Sequence, residues 1–231
     1  MSTVNNDPSI NVNLFYDNLE FPGRYSNNDL EYYQTEIHNV YLKFIDEYLT
    51  DTIEVLDIGC GTGLITNLFA NKYKSNFTAI DFSRGVLFGK EYAEKNKITN
   101  TTWLHQNFLD YKTNNKYDVI ICQGVLHHIP EYKKALEIIK TLLKPGGILL
   151  LGLYHPLGKI AQKIMKPNFF SNLLKTDQME NPFELSFTVR QVKKMCRPLV
   201  LETYGPSLIS SWKNLTFFTG GGLVIYSFRS Q

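Results

Sequence analysis

Residues 54–81 constrain this 231-residue chain more tightly than any other stretch. A short apolar run, Glu54–Ile58, carries Asp57 near its end. It is followed by Gly59-Cys60-Gly61-Thr62-Gly63 and then by a helical pattern from Leu64 to about Tyr73. A second apolar run, Phe77–Asp81, closes with another acidic residue. Glycines at this spacing allow a sharp strand-to-helix turn and let a ligand approach the backbone. The helix N-terminus that follows is expected to present unpaired N–H groups to a polar ligand. An acid at the end of the second strand is placed to accept two ribose hydroxyls. The spacing is not the dinucleotide fingerprint G-x-G-x-x-G, because Leu64 follows Gly63, and no G-K-[ST] follows to make a phosphate loop.

The same rhythm continues. Gly85–Asn96 reads as a helix, Thr102–His105 as a strand, and Tyr117–Gln123 as a strand covered on both faces. Pro130 opens the next helix, which Pro145-Gly146-Gly147 ends near Leu143, and Ile148–Tyr154 is the fifth strand. Strands alternating with helices predict an α/β fold with a parallel sheet and helices on both faces. Thr188 is expected to cap a short helix to Cys196, with Leu199–Tyr204 and Leu223–Phe228 as two last strands. No crossover helix is evident between those two, so they are expected to be antiparallel at a sheet edge, making seven strands in all. Residues 1–13 read as a loose tail and 14–28 as an ordered arm, with Asp29 capping a helix to about Leu49. The whole is expected to be one domain: arm and helix 14–49, core 50–155, an insertion at 156–187, and a closing part at 188–231.

Composition narrows the function. The formal net charge is +2, too balanced for an electrostatically driven nucleic-acid or membrane binder. Cys60, Cys122 and Cys196 form no C-x-x-C pair, which disfavours a disulfide framework or a zinc site. The first residues lack the order of a signal peptide, and the longest apolar stretch, Ile148–Leu153, is too short to span a bilayer. A reduced, cytoplasmic protein without a bound metal is expected. Aromatic residues reach 13%, enough to call for a large core or an apolar pocket.

Five segments together resemble the Rossmann-like, class I family of S-adenosylmethionine-dependent methyltransferases. VLDIGCGTG (55–63) looks like its first motif and AIDFS (79–83) like its second. QNFLD (106–110), YDVIICQGVLHHI (117–129) and LLKPGGILLL (142–151) are similar to its later ones. The resemblance implies a three-layer sandwich that binds S-adenosyl-L-methionine and releases S-adenosyl-L-homocysteine. It implies that Asp57, Gly59, Cys60, Gly61 and Gly63 hold the methionine end, with Gln123 beside it. Asp81 would take the ribose and Asn107 the adenine amino group, where many members carry Asp. Phe108 would add a backbone contact and ring packing, and Phe82 a second ring. Phe82 and Phe108 as plain core residues, and Cys60 and Cys122 as packing residues, are the competing readings.

Methyl transfer from a sulfonium needs alignment and exclusion of water, and a base only when the acceptor must lose a proton. His127, His128 and His155 follow the fourth and fifth strands, at the edge where such sheets bind ligands, and are the candidates for that base. The alternative is a histidine that only bonds the backbone. In the arm, Tyr16 or Tyr25 would cover the donor and Arg24 would pair with its carboxylate. The insertion at 156–187 would form a lid. Its Lys159, Lys163 and Lys166 near Phe169 and Phe170 suit an acidic or aromatic small-molecule acceptor. A peptide, protein or RNA acceptor, or binding without catalysis, are the other functions in view. No N-P-P-Y or D-P-P-Y occurs, which argues against methylation of base amino groups.

Overall fold

The computed structural model describes residues 12, 15, 16, 20–33, 42–157, 183–206 and 223–231. The expected lid residues Lys159, Lys163, Lys166, Phe169 and Phe170, and the middle of the first expected helix, lie outside these.

Seven strands form one sheet: β1 (Glu54–Ile58), β2 (Asn76–Asp81), β3 (Thr101–His105), β4 (Tyr117–Gln123), β5 (Leu143–Tyr154), β6 (Val200–Pro206) and β7 (Leu223–Arg229). Their order is β3-β2-β1-β4-β5-β7-β6. The five strands β3, β2, β1, β4 and β5 pair in parallel. β7 runs antiparallel to both β5 and β6, so an antiparallel pair completes this side of the sheet. The helices are α1 (Asn27–Tyr33), α2 (Leu64–Lys72), α3 (Gly85–Lys95), α4 (Tyr132–Leu142) and α5 (Val189–Met195).

Strand side chains alternate between faces, and the two halves of the core follow that period. Leu56, Ile58, Ile120, Leu149, Leu151 and Phe228 face α4 and α5. Val55, Val119, Ile121, Ile148 and Leu150 face the other way, onto Leu68 and Phe69 of α2, Tyr92 and Ala93 of α3, and Ile45. The result is a Rossmann-like sandwich of three layers. From β1 the chain winds outward through β2 and β3, then returns to β4 on the opposite side of β1. Reversal of winding between β1 and β4 opens a crevice at their carboxyl ends, where sheets of this kind bind ligands.

Two of the boundaries that differ from expectation have a cause in the structure. Asp29 is not the helix cap. α1 starts at Asn27, and Ser26 and Asp29 bond reciprocally: the Asp29 carboxylate accepts from Ser26 N–H at 2.6 Å, and Ser26 Oγ accepts from Asp29 N–H at 3.3 Å. β5 begins at Leu143, not Ile148, because Leu143 already pairs with Tyr117. Lys144–Gly147 then loops out opposite Asp118, and Lys144 Nζ reaches the Asp118 carboxylate at 2.7 Å.

Leu150 lies at the centre of this sheet, fully buried. Leu150→Ala is expected to lower stability by about 2–5 kcal/mol. The check is urea unfolding, in which the midpoint should fall while the denaturant slope stays constant.

Candidate functional site

The turn after β1 has Gly59, Gly61 and Gly63 at φ +68°, +54° and +76°, a region that disfavours side chains. Close approach adds a second reason. A Cβ on Gly59 would stand 2.2 Å from the Val125 side chain, and one on Gly61 would stand 2.2 Å from the Phe21 carbonyl oxygen. The turn is therefore clasped between the loop after β4 and the N-terminal arm.

The N–H groups of the turn itself, ahead of the helix that starts at Leu64, point inward. Those of Gly59 and Cys60 donate to Ile80 C=O at 2.8 and 3.3 Å, and that of Gly63 donates to Cys60 C=O at 2.8 Å. Thr62 N–H donates to Phe21 C=O at 2.9 Å, and Gly61 N–H donates to Asp81 Oδ2 at 2.8 Å. Every N–H from Gly59 to Gly63 has a partner within the protein. The turn offers a ligand shape and carbonyls instead of a nest of donors.

Two carboxyls border it. Asp57 is 4% exposed and accepts from Thr66 Oγ1–H at 2.6 Å. Asp81 is 8% exposed and accepts from Gly61 N–H and, at 2.7 Å, from Ser83 N–H. The Ser83 hydroxyl also bonds this carboxyl, whose two oxygens have acceptor capacity beyond these three bonds. Phe82 follows, its carbonyl bonded to His105 Nε2 at 2.9 Å. Asn107 is exposed, and its Oδ1 accepts from Leu109 N–H at 2.9 Å, which leaves the Nδ2 hydrogens facing outward chemistry. Phe108 is a core residue, packed in the layer that holds Ile58 and Leu126. At the end of β4, Gln123 lies against Gly152, where a side chain would strike its Oε1 at 2.1 Å. Both polar atoms of the Gln123 amide are buried with no hydrogen-bond partner among the described residues. Such a group calls for a ligand or a water.

The arm docks on the turn through Thr62, a residue the sequence reading passed over. Thr62 is fully buried, and all its polar groups meet alternate residues of the arm. Its N–H reaches Phe21 C=O, its Oγ1–H donates to Gly23 C=O at 2.9 Å, and its C=O accepts from Tyr25 O–H at 3.0 Å. The Tyr25 hydroxyl also accepts from Asn67 Nδ2 at 2.7 Å. Tyr25 thus supports the turn and does not cover it. Arg24 departs from expectation too. Its guanidinium makes two 3.0 Å bonds to Glu20 and lies over the Phe88 ring, with 63% of the side chain exposed. Surface pairing with a carboxylate four residues away outcompetes a role in the crevice. Tyr16 does reach across: its ring is 6.1 Å from Phe82 and 5.8 Å from His128.

The three histidines lie at the ends of β4 and β5 and are all buried. His127 and His128 lie in a single 3-10 turn after β4, with rings 4.1 Å apart, and the His127 ring is 4.1 Å from that of Tyr154. His128 Nδ1 lies 3.1 Å from Phe183 C=O. His155 Nδ1 accepts from Leu157 N–H at 3.3 Å.

A family profile described as a methyltransferase domain matches residues 49–199. The chain belongs to this methyltransferase family. Among curated relatives, the ubiquinone biosynthesis O-methyltransferase of Coxiella burnetii (strain Dugway 5J108-111) is 30% identical over 115 residues, covering 49% of each chain. That of Rickettsia canadensis (strain McKiel) is 30% identical over 131 residues, covering 53% of this chain and 54% of its own. The chain spans about half the length of the curated relatives it matches. Among solved structures, magnesium protoporphyrin IX methyltransferase from Synechocystis PCC 6803, with bound SAM, superposes with a TM-score of 0.66 at 14% identity over all of both chains. The N-methyltransferase NodS from Bradyrhizobium japonicum WM9, in complex with S-adenosyl-L-homocysteine, gives 0.65 at 14% identity over 95% of this chain and 98% of its own. The [4+2]-cyclase SpnF shares the fold as well, with a TM-score of 0.63 at 15% identity over 84% of this chain and 80% of its own.

Electrostatics in this methyltransferase domain follow from burial. Burial raises the Asp57 carboxyl to about 7, with the Thr66 bond opposing and Asp81 adding to the rise. Burial raises Asp81 as well, against the N–H groups of Ser83 and Gly61. It lowers His155. It pushes the thiols of Cys60 and Cys122 far up, which suits packing residues and not nucleophiles. Because the folded state holds the Asp57 proton more tightly than the unfolded chain, that contribution is full below the ordinary value of 3.8 and is lost as pH rises through about 7. Asp57→Asn, which mimics the protonated form, is therefore expected to gain stability relative to the ligand-free wild type between about pH 4 and pH 7. Paired urea titrations across that range check it; a constant difference contradicts it.

Proposed function

We propose that this protein is an S-adenosylmethionine-dependent methyltransferase acting on a small-molecule acceptor. One observation carries the reading: two buried carboxyls, Asp57 and Asp81, border a glycine turn whose N–H groups from Gly59 to Gly63 are all engaged inside the protein. A diphosphate would need free donors there. A ligand with positive charge and ribose hydroxyls, and no phosphate, fits instead. Such a cation would restore the ionised form of Asp57, which burial disfavours.

In this reading Asp81 accepts the ribose hydroxyls, and Asn107 and Phe108 border the adenine. Asp57, Gln123 and the turn of Gly59, Cys60, Gly61 and Gly63 hold the methionine end. The buried Gln123 amide supplies both a donor and an acceptor for an amino-acid group. Tyr16 and Phe82 flank the donor, Tyr25 acts only by holding the turn, and Arg24 stands outside the set. When bound, S-adenosylmethionine supplies a methyl carbon on a sulfonium: the acceptor lone pair bonds that carbon and the C–S electron pair stays on sulfur.

The small-molecule assignment is supported by relatives named for ubiquinone biosynthesis, and by the aromatic packing of Tyr16, His128 and Tyr154 at the ends of β4 and β5. Residues 156–187 would be the lid over an acidic or aromatic acceptor, within a single domain formed by the arm, core and closing strands. Three free, buried cysteines support a cytoplasmic setting, and no described helix is long and apolar enough to cross a membrane.

S-adenosylmethionine or S-adenosylhomocysteine is expected to raise the melting temperature. At a hundred times the dissociation constant the gain is about 2.7 kcal/mol. That corresponds to roughly 2–4 °C per kcal/mol for a chain of this size. NAD is expected to have no effect, and a folded sample indifferent to both sulfur nucleosides overturns the reading. Asp81→Ala should weaken S-adenosylhomocysteine binding by about tenfold or more in calorimetry, as loss of a charged hydrogen-bond partner would. An unchanged dissociation constant would refute its ribose role. Because a cyclase shares the fold, methyl transfer itself is read from labelled donor incubated with small-molecule extracts, followed by mass spectrometry of the product.

A further inference from the structure

Residues 183–187 run across the ends of β4 and β5 without regular secondary structure. Three alternate residues of this segment make bonds there. Leu185 N–H donates to His127 C=O at 2.8 Å, and Phe187 N–H donates to Tyr154 C=O at 2.8 Å. Phe183 C=O lies 3.1 Å from His128 Nδ1. A carbonyl oxygen only accepts, so Nδ1 must carry the hydrogen. In the neutral ring the lone pair then sits on Nε2.

The ring has little freedom to adopt another pose. His128 is 3% exposed, and the rings of His127, Tyr16 and Tyr154 stand at 4.1, 5.8 and 6.1 Å from it. The titratable groups on the elements packed around it are His127 in its own turn, Tyr154 and His155 at the end of β5, Tyr16 in the arm and Glu184 in the segment itself.

We propose that Phe183–Phe187 is a positioning strap that holds His128 in the Nδ1–H tautomer, so that Nε2 is the atom that takes the acceptor's proton. The strap also sets the acceptor's chemical class. A base fixed in this way serves an acceptor O–H or N–H whose proton must leave: that bond breaks, an Nε2–H bond forms, and the proton passes on to solvent. An acceptor that carries no such proton has no use for it.

The catalytic consequence rests on the methyl-transfer reading, but the tautomer does not, and it is measured on the ligand-free chain. Long-range proton–nitrogen spectra of protein labelled at its five histidines are expected to show one ring with protonated Nδ1 and imine-type Nε2. That ring is assigned by its loss in His128→Asn. An Nε2–H tautomer, or a rapidly averaging pair, overturns the proposal.

Two variants then separate positioning from plain packing. His128→Asn keeps an N–H donor where Nδ1 stood, whereas His128→Phe fills the space without one. Amide exchange at Leu185 and Phe187 is expected to rise about tenfold in the Phe variant, the loss of one hydrogen bond of about 1.4 kcal/mol. The Asn variant is expected to stay close to wild type. Equal exchange in the two variants overturns the strap. If sulfur nucleosides fail to bind while the tautomer and the Asn rescue hold, the functional reading falls alone.

Discussion

The hydrogen bond from Gly61 N–H to Asp81 Oδ2 ties the turn after β1 to the end of β2, and the rest of the site is arranged around it. It can form only because Gly61 sits at φ +54°, where the peptide turns its N–H toward β2. The opposite side of the same residue is then left bare, and the Phe21 carbonyl occupies that space. From there the arm runs down Thr62, bonding its N–H, hydroxyl and carbonyl in turn. One glycine conformation therefore fixes the acid, the turn and the arm relative to one another.

This arrangement has an electrostatic consequence. Burying a carboxyl without a paired cation is costly, and a group so placed tends to keep its proton. Among the described residues Asp57 has a hydroxyl for a partner, and Asp81 has two backbone N–H groups and the Ser83 hydroxyl. Neither forms an ion pair. A natural chain that places two carboxyls in a crevice in this way is under-satisfied by its own side chains. Together with the unmet amide of Gln123, they describe a site whose complement is a polar, cationic molecule.

Much of the fold was legible in the sequence because its signals are local. β1 and β4 fall where apolar runs and their flanks place them, and the glycine turn marks the crossover between β1 and α2. Several departures lie where a contact distant in sequence decides the outcome, while those at Asp29 and Arg24 turn on partners three and four residues away. Strand β5 starts early because Tyr117 is there to pair with Leu143. The turn's donors are filled by Ile80, Asp81 and Phe21, none of which its own periodicity reveals. Arg24 pairs with Glu20, four residues earlier, at the protein surface. Thr62 gave one signal, a hydroxyl residue between two glycines, and its three partners could be known only in three dimensions. The strap at 183–187 carried no signal at all, since its bonds are made by backbone groups.

Among the described residues, Tyr16 links the ends of β2 and β4 through its ring. Tyr16 touches Phe82, beyond the ribose acid on β2, and His128, beyond β4. Aromatic contacts at these distances are individually weak, about 0.5–1.5 kcal/mol each. They are strong enough to bias where the arm rests and too weak to lock it. The arm's anchor is elsewhere, at Thr62, so Tyr16 rides on a segment tethered to the turn that the donor would touch. The strap meets the same histidine from the other side. His128 is thus the point at which two separate stretches of chain, one before the sheet and one after β5, converge. Were His128 the base of the proposed methyl transfer, the contacts that order its ring would also order the walls that exclude water.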